Sequence, residues 1–347
     1  MRKPTIKDIA IYTGLSKGTV DRVLHKRGEV SRESFEKVMA AVKELGYEPN
    51  VYASLLAKTQ DRMLAVLLPA PEKGSYWELA ARGLERAMPE LKALGASVRL
   101  FTYDQYSEEE FRSSCQAVLD SAPAGVLIAP LFKKETLALT AALEARDIPF
   151  GYVDTKLDES RYLVYFGIPT HKSGFFCADI LIGAETVKEV LIVRVRRDKM
   201  QQADPTVYRR AGFMAYLEEY HPDTQAHQLF IDPSTPEETV AVLQRFFAEH
   251  PDLRHIVMFN SRVHLLVPFL ERHSGQKLRV IGFDDIEANV AALKRGMVSM
   301  LIAQRPDQQV ERALKSIAEY IVLRREPMRQ NNFMHMLLLT RHNLNTE

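Results

Sequence analysis

The first 45 residues place apolar side chains three and four apart, and the spacing predicts three short helices. Thr5 is set to cap the first, with Asp8 three residues on in the reciprocal position, and Gly14 ends it by supplying a left-handed stop. Leu15 plugs inward, and Ser16 caps a second helix running to about Leu24, with Val20, Val23 and Leu24 on its buried side. Its other side carries Lys17, Gly18, Asp21, Arg22 and His25. A third helix starts at Ser31, with Val30 and Phe35 at staple positions and Val38, Val42 and Leu45 turned toward the first two.

Beyond residue 60 the rhythm changes to buried apolar runs alternating with amphipathic stretches. Runs over 63–69, 98–103, 125–130, 150–154, 189–195, 256–260 and 280–283 predict strands. Stretches over 79–94, 108–121, 172–182, 208–220 and 236–250 predict helices. Such a length, close to 285 residues, exceeds one ordinary core, so two α/β lobes are expected.

Charge divides the chain at the same place. Up to residue 32 there are eight Lys/Arg against three Asp/Glu; removing these from totals of 46 and 45 leaves 38 basic and 42 acidic residues. A basic head therefore sits on a mildly acidic body, and attraction to phosphate is confined to the head. A helix, tight turn and helix can be no more than a structural corner, and a charged helix face can be merely solvated. Alternatively, the polar face of the second helix enters a DNA major groove.

The next segment, Gly46-Tyr47-Glu48-Pro49-Asn50-Val51-Tyr52-Ala53-Ser54-Leu55-Leu56-Ala57, is a turn leading into a very short apolar helix. With the head, it resembles the LacI family of bacterial regulators in order and spacing. The resemblance implies an all-α helix-turn-helix domain over 1–49, a hinge helix over 50–60, and a two-lobed sensor over 61–347. The sensor is expected to resemble periplasmic sugar-binding proteins, with doubly wound parallel sheets. Lobe 1 is expected over about 61–165 and 305–330, lobe 2 over about 166–304 and 331–347. DNA contacts are implied for Thr5, Ser16, Lys17, Gly18, Thr19, Asp21, Arg22 and His25, and in the hinge for Asn50, Ala53 and Leu56, the last as a minor-groove wedge. Two departures stand out. Asp21 replaces a usual serine and could pair with Lys17, accept from a cytosine amino group or repel phosphate, and Ser54 stands where arginine is frequent.

Ligands in open α/β sheets bind beyond the carboxyl ends of strands, where this chain carries polar residues. The resemblance implies ligand contacts at Tyr76, Trp77, Asp154, Arg209 (in Arg-x-x-Gly-Phe), Asn260, Asp284 and Gln304. Flat aromatics cover the C–H face of a sugar, carboxylates accept from hydroxyls, and the arginine fork donates to ring and hydroxyl oxygens. Pro169-Thr170, Ser261 and Thr155 depart from the common pattern, and the stretch 296–313 looks closer to ribose- and galactose-binding proteins, favouring a monosaccharide or derivative. The expectation is a repressor, dimeric with a tetramer left open, acting on double-stranded operator DNA.

Catalysis finds no support: there is no Gly-x-Ser-x-Gly elbow, P-loop, dinucleotide fingerprint or His-Glu-x-x-His motif. The alternatives are a sugar-binding protein, or a sugar-acting enzyme with an appended DNA-binding head. No cofactor or metal is expected; His250 and His255, five apart across Pro-Asp, read as a surface loop. Cys115 and Cys177 fall in predicted helices as small apolar residues. Neither an export signal nor a run of about 18 apolar residues is visible, so a cytoplasmic protein without membrane association is expected.

Overall fold

The computed structural model describes residues 4–24, 30–46, 62–195, 205–273 and 277–344, in two compact units, Met1–Gln60 and Asp61–Glu347. In the first, α1 (Ile6–Thr13), α2 (Lys17–Leu24) and α3 (Arg32–Leu45) enclose a small core of Ile9, Ala10, Val20, Val23, Val38 and Ala41. Its helices are set by their ends. The Thr5 backbone N–H donates to the Asp8 carboxylate at 2.8 Å, while Thr5 Oγ1 accepts from the Asp8 N–H at 3.4 Å. Gly14, at φ +68°, lets the chain turn where a side chain would be strained. Ser16 Oγ and Ser31 Oγ accept from the backbone N–H groups of Thr19 and Ser34 at 3.1 and 3.3 Å. Val30 packs on the core, while Phe35 stays 45% exposed.

In the second unit, the described strands form two six-stranded sheets. One contains β1 (Arg62–Pro69), β2 (Ala96–Tyr103), β3 (Gly125–Ile128), β4 (Phe150–Val153), β5 (Val164–Gly167) and β11 (Asn331–Phe333), in the order β11-β5-β4-β3-β1-β2, all parallel. The other contains β6 (Glu189–Val195), β7 (Gln225–Ile231), β8 (His255–Met258), β9 (Arg279–Phe283), β10 (Met300–Ala303) and β12 (Leu337–Leu339), in the order β12-β10-β9-β8-β6-β7. Only β12, paired to β10, runs antiparallel among these. Helices cover both sheets, which is why central strands read as unbroken apolar runs: Leu64 to Leu68 are all at most 1% exposed.

The chain crosses between lobes after β5, after β10 and after β11. The last crossing corrects the expected border. Residues 331–333 extend the first sheet beside β5 instead of opening the second lobe, because Asn331, Asn332 and Phe333 register with Tyr165, Phe166 and Gly167. The preceding helix α12 (Pro306–Leu323) packs on β3, β4 and β5 and delivers the chain to that edge. Between the first and last of these helices lie α4 (Tyr76–Ala93), α5 (Glu108–Asp120), α6 (Lys133–Glu144), α7 (Thr170–Ile182), α8 (Pro205–Tyr220), α9 (Pro236–Glu249), α10 (Val267–Arg272) and α11 (Glu287–Lys294).

Helices α7 and α8 meet through a reciprocal pair of glycines. A Cβ on Gly174 would lie 1.7 Å from the carbonyl oxygen of Arg209, and one on Gly212 would lie 1.9 Å from that of His171. Only glycine permits so close a backbone approach. Cys115 and Cys177 are free and buried in α5 and α7, and burial pushes the Cys115 thiol up to about 12, so neither is primed for thiolate chemistry. The surface-loop reading of His250 and His255 does not hold. His255 opens β8, is 6% exposed and faces Glu185 at 3.3 Å, whereas His250 ends α9 and turns toward Glu189. Among the described residues no helix is long and apolar enough to cross a membrane.

Candidate functional site

A cavity of about 270 Å³ lies between the carboxyl ends of the two sheets, and all seven ligand contacts expected from the sequence line it. Tyr76 and Trp77 open α4 beyond β1, Asp154 follows β4, and Arg209 projects from the first turns of α8. Asn260 lies just beyond β8, Asp284 follows β9, and Gln304 follows β10. The two aspartates occupy matching positions in the two lobes. Each has a positive φ, +66° for Asp154 and +68° for Asp284, and each donates its backbone N–H to the next strand, to Phe166 O and Ile302 O. Aspartate tolerates this conformation better than most residues, and its carboxylate is thereby turned off the strand axis at the cleft.

A hydrogen-bonded chain connects the polar groups across the lobes. Tyr76 Oη donates to Asp154 Oδ1 at 2.8 Å. The Asp154 backbone N–H donates to Gln309 Oε1 at 3.1 Å, and Gln309 Nε2 donates to the Gln304 carbonyl at 3.0 Å. Gln304 Nε2 donates to Asp284 Oδ1 at 2.7 Å, while its Oε1 accepts from Arg209 Nη2 at 2.6 Å. Arg209 also donates from Nη1 to the Phe259 carbonyl at 2.7 Å, and its guanidinium lies 4.5 Å from the centre of the Phe283 ring. With 3% exposure, this arginine is held on three sides, and its buried Nε has no protein partner. The Arg-x-x-Gly-Phe signature thus has a physical reading: Arg209 faces the cavity, Gly212 lets α8 seat on α7, and Phe213 anchors it in the lobe 2 core against Phe259.

Burial sets the electrostatics. It pushes the Asp284 carboxyl from 3.8 up to about 7 against the opposing pull of the Arg209 charge and the Gln304 hydrogen bond. Burial also raises the Tyr76 hydroxyl, reinforced by Asp154, so it remains a neutral donor, and it lowers the His264 imidazole, which favours the neutral ring. The lining carries three basic residues, Lys73, Arg209 and Arg262, and three acidic ones, Glu72, Asp154 and Asp284, the last ionised only above about pH 7. Trp77 packs edge-on to Tyr76, ring centres 5.0 Å apart. Such a set can bind a hydroxyl-rich ring.

In the first unit, Thr5, Ser16, Lys17, Gly18 and Arg22 are exposed, whereas Thr19 and Asp21 are half-buried. Thr5 and Ser16 are also the caps of α1 and α2, and Arg22 Nε donates back to the Gly18 carbonyl at 3.2 Å. The expected contacts His25, Asn50, Ala53 and Leu56, and the departure at Ser54, lie outside the described residues.

A family model described as the lacI family of bacterial regulatory proteins matches residues 5–50, and one for the periplasmic binding protein domain matches residues 64–324. The chain belongs to the LacI family. This LacI-family regulator is 27% identical over 288 residues to the ribose operon repressor of Lactococcus lactis, covering 82% of this chain and 81% of that protein. A crystal structure assigned as a LacI transcriptional regulator from Bacteroides fragilis is 32% identical, with a TM-score of 0.76, covering 82% of this chain and 98% of that one. GanP, a glucose-galactose binding protein from Geobacillus stearothermophilus, shares the fold with a TM-score of 0.68 at 19% identity, over 82% of this chain and 100% of its own.

Sequence reasoning overlooked residues that shape the regulator's cavity from behind. Asn289, fully buried, directs its amide nitrogen at the carbonyls of Ser261, Phe283 and Asp284, each at 3.0 Å, and its oxygen accepts from the His264 backbone N–H at 3.1 Å. Gln309, 1% exposed, bridges Asp154 and Gln304. Across the cavity mouth, Arg262 of lobe 2 donates to the hydroxyl of Tyr106 of lobe 1, its guanidinium 5.9 Å from that ring's centre. Only Gln309 carried a signal, as part of the 296–313 stretch.

Proposed function

We propose that this DNA-binding regulator is a repressor whose homodimer binds a roughly palindromic operator and whose affinity is set by a neutral monosaccharide-sized polyol in the lobe cavity. Lys17, Gly18 and Arg22 read bases, with Gly18 allowing close approach, and Leu56 of each hinge enters the minor groove. The observation that carries the ligand reading is the convergence of Tyr76, Trp77, Asp154, Arg209, Asn260, Asp284 and Gln304 on one cavity of about 270 Å³. That volume lies at the small end of ligand pockets and suits a single sugar ring. The carboxylates of Asp154 and Asp284 suit hydroxyl donors and repel a phosphate when ionised, which favours a neutral sugar over a sugar phosphate, and the relationship to a ribose operon repressor supports a sugar.

A thermal-shift screen of the full chain against neutral monosaccharides, sugar phosphates and nucleosides tests this reading, because a ligand bound only by the folded state raises the melting temperature by mass action. Hits confined to neutral sugars, and lost in Arg209→Ala, are expected. A hit among phosphorylated compounds alone would overturn the ligand class.

A further inference from the structure

At the edge of lobe 2, among residues that do not line the cavity, two imidazoles close on one carboxylate. Glu189 begins β6, and His227 lies on the same face of the adjacent strand β7, registered with Leu191 two residues along. His250 ends α9, which covers that face. His227 Nε2 is 3.1 Å and His250 Nδ1 2.9 Å from the same oxygen, Glu189 Oε1, and all three donor atoms lie within 4.8 Å of one another. Phe246 stacks on the His250 ring, centres 4.4 Å apart at 24°, and meets His227 edge-on at 5.5 Å. The rings are thus held by packing, while side-chain exposures of 25, 15 and 23% for Glu189, His227 and His250 leave a path from solvent.

We propose that Glu189, His227 and His250 bind a divalent first-row transition metal of the zinc type. Zinc–nitrogen and zinc–oxygen bonds of about 2.0–2.1 Å in tetrahedral geometry set donor atoms about 3.3 Å apart. Two of the three edges are already within a few tenths of an ångström of that. Two imidazoles and one carboxylate form a donor set that suits zinc, nickel, cobalt or copper, whereas magnesium prefers oxygen alone. Bound through His227 Nε2 and His250 Nδ1, the metal requires each ring to carry its hydrogen on the opposite nitrogen, and it leaves a fourth position for water. It ties the edge strand β7 to β6 and to the end of α9, and so stabilises lobe 2.

The full chain, stripped with EDTA and dialysed, is titrated with zinc chloride by calorimetry and melted with and without zinc, magnesium serving as control. The wild type takes up one equivalent and its melting temperature rises with zinc but not with magnesium. Glu189→Gln, His227→Gln and His250→Gln each weaken uptake about tenfold or more, and operator binding by these variants is unchanged. Absence of zinc uptake by the wild type, or uptake that survives His227→Gln and Glu189→Gln at full affinity, overturns the site. Should one substitution unfold the lobe, the other two decide.

Discussion

Asp284 offers the sharpest quantitative consequence of the cavity. It is 2% exposed, and burial pushes its carboxyl from 3.8 to about 7. Between those pH values the folded chain holds a proton there that the unfolded chain releases, so stability falls as pH rises through this window and levels off above about 7. A shift of that size corresponds to about 4 kcal/mol at its limit. Asp284→Asn retains an oxygen to accept from Gln304 Nε2 but has no proton to lose. Relative to the wild type, the variant therefore gains up to about 4 kcal/mol between pH 4 and pH 7.5. Urea titrations across this range report the difference through Trp77, the chain's single tryptophan, which is 6% exposed in the same cavity. Subtracting the two profiles removes every other titrating group. Parallel profiles would refute the reasoning, since Asp284 would then ionise as an ordinary surface carboxylate.

The same proton competes with ligand: if a sugar hydroxyl donates to ionised Asp284, affinity drops about tenfold per pH unit below about 7, and calorimetric titrations flat from pH 5 to 8 would remove Asp284 from the contact. Gly174→Ala forces α8 away from α7 at the Arg209 carbonyl, costing about 1–3 kcal/mol and weakening ligand binding. A lower melting temperature with unchanged ligand affinity would show that this helix crossing does not position Arg209. Asn289→Ala strips an amide from two buried carbonyls and one part-buried one and should cost about 2–3 kcal/mol, read by urea denaturation; a loss near zero would mean the loops re-pair without it. In the DNA-binding unit, Arg22→Ala should weaken operator binding by about 1–3 kcal/mol and relax preference at one base pair. Equal weakening on all sequences would make Arg22 a phosphate contact.

Local chemistry was legible in the sequence wherever it is determined locally. The caps at Thr5, Ser16 and Ser31 and the stop at Gly14 depend on neighbours three residues away, and each is found as expected. Runs such as Leu64–Leu68 declare a strand covered on both faces. The edge strand β7 was missed because its sequence, Gln-Ala-His-Gln-Leu-Phe-Ile, is mostly exposed or half-buried and alternates without a clean apolar face. Strands β5 and β10 were missed as well, although β3, β4 and β8, equally four residues long, were read from their apolar runs. The lobe assignment of 331–333 depends on pairing with a strand more than 160 residues away, which no local pattern encodes. The cavity residues were readable through family resemblance at strand ends. Asn289 and Gln309 each join a nearby backbone carbonyl to a group farther off, Asn289 reaching Ser261 28 residues back and Gln309 reaching Asp154 155 residues back, and so looked like ordinary helix residues.

The decisive question is whether the cavity built around Arg209 governs how tightly the N-terminal unit grips its operator. Fluorescence anisotropy of a labelled operator, titrated with the full chain with and without the sugar found by thermal shift, measures that coupling directly. The expected result is that the sugar changes wild-type operator affinity, that operator DNA changes sugar affinity by the same factor, and that Arg209→Ala binds operator as the ligand-free wild type does while ignoring the sugar. An Arg209→Ala protein that responds to the sugar as the wild type does would contradict it.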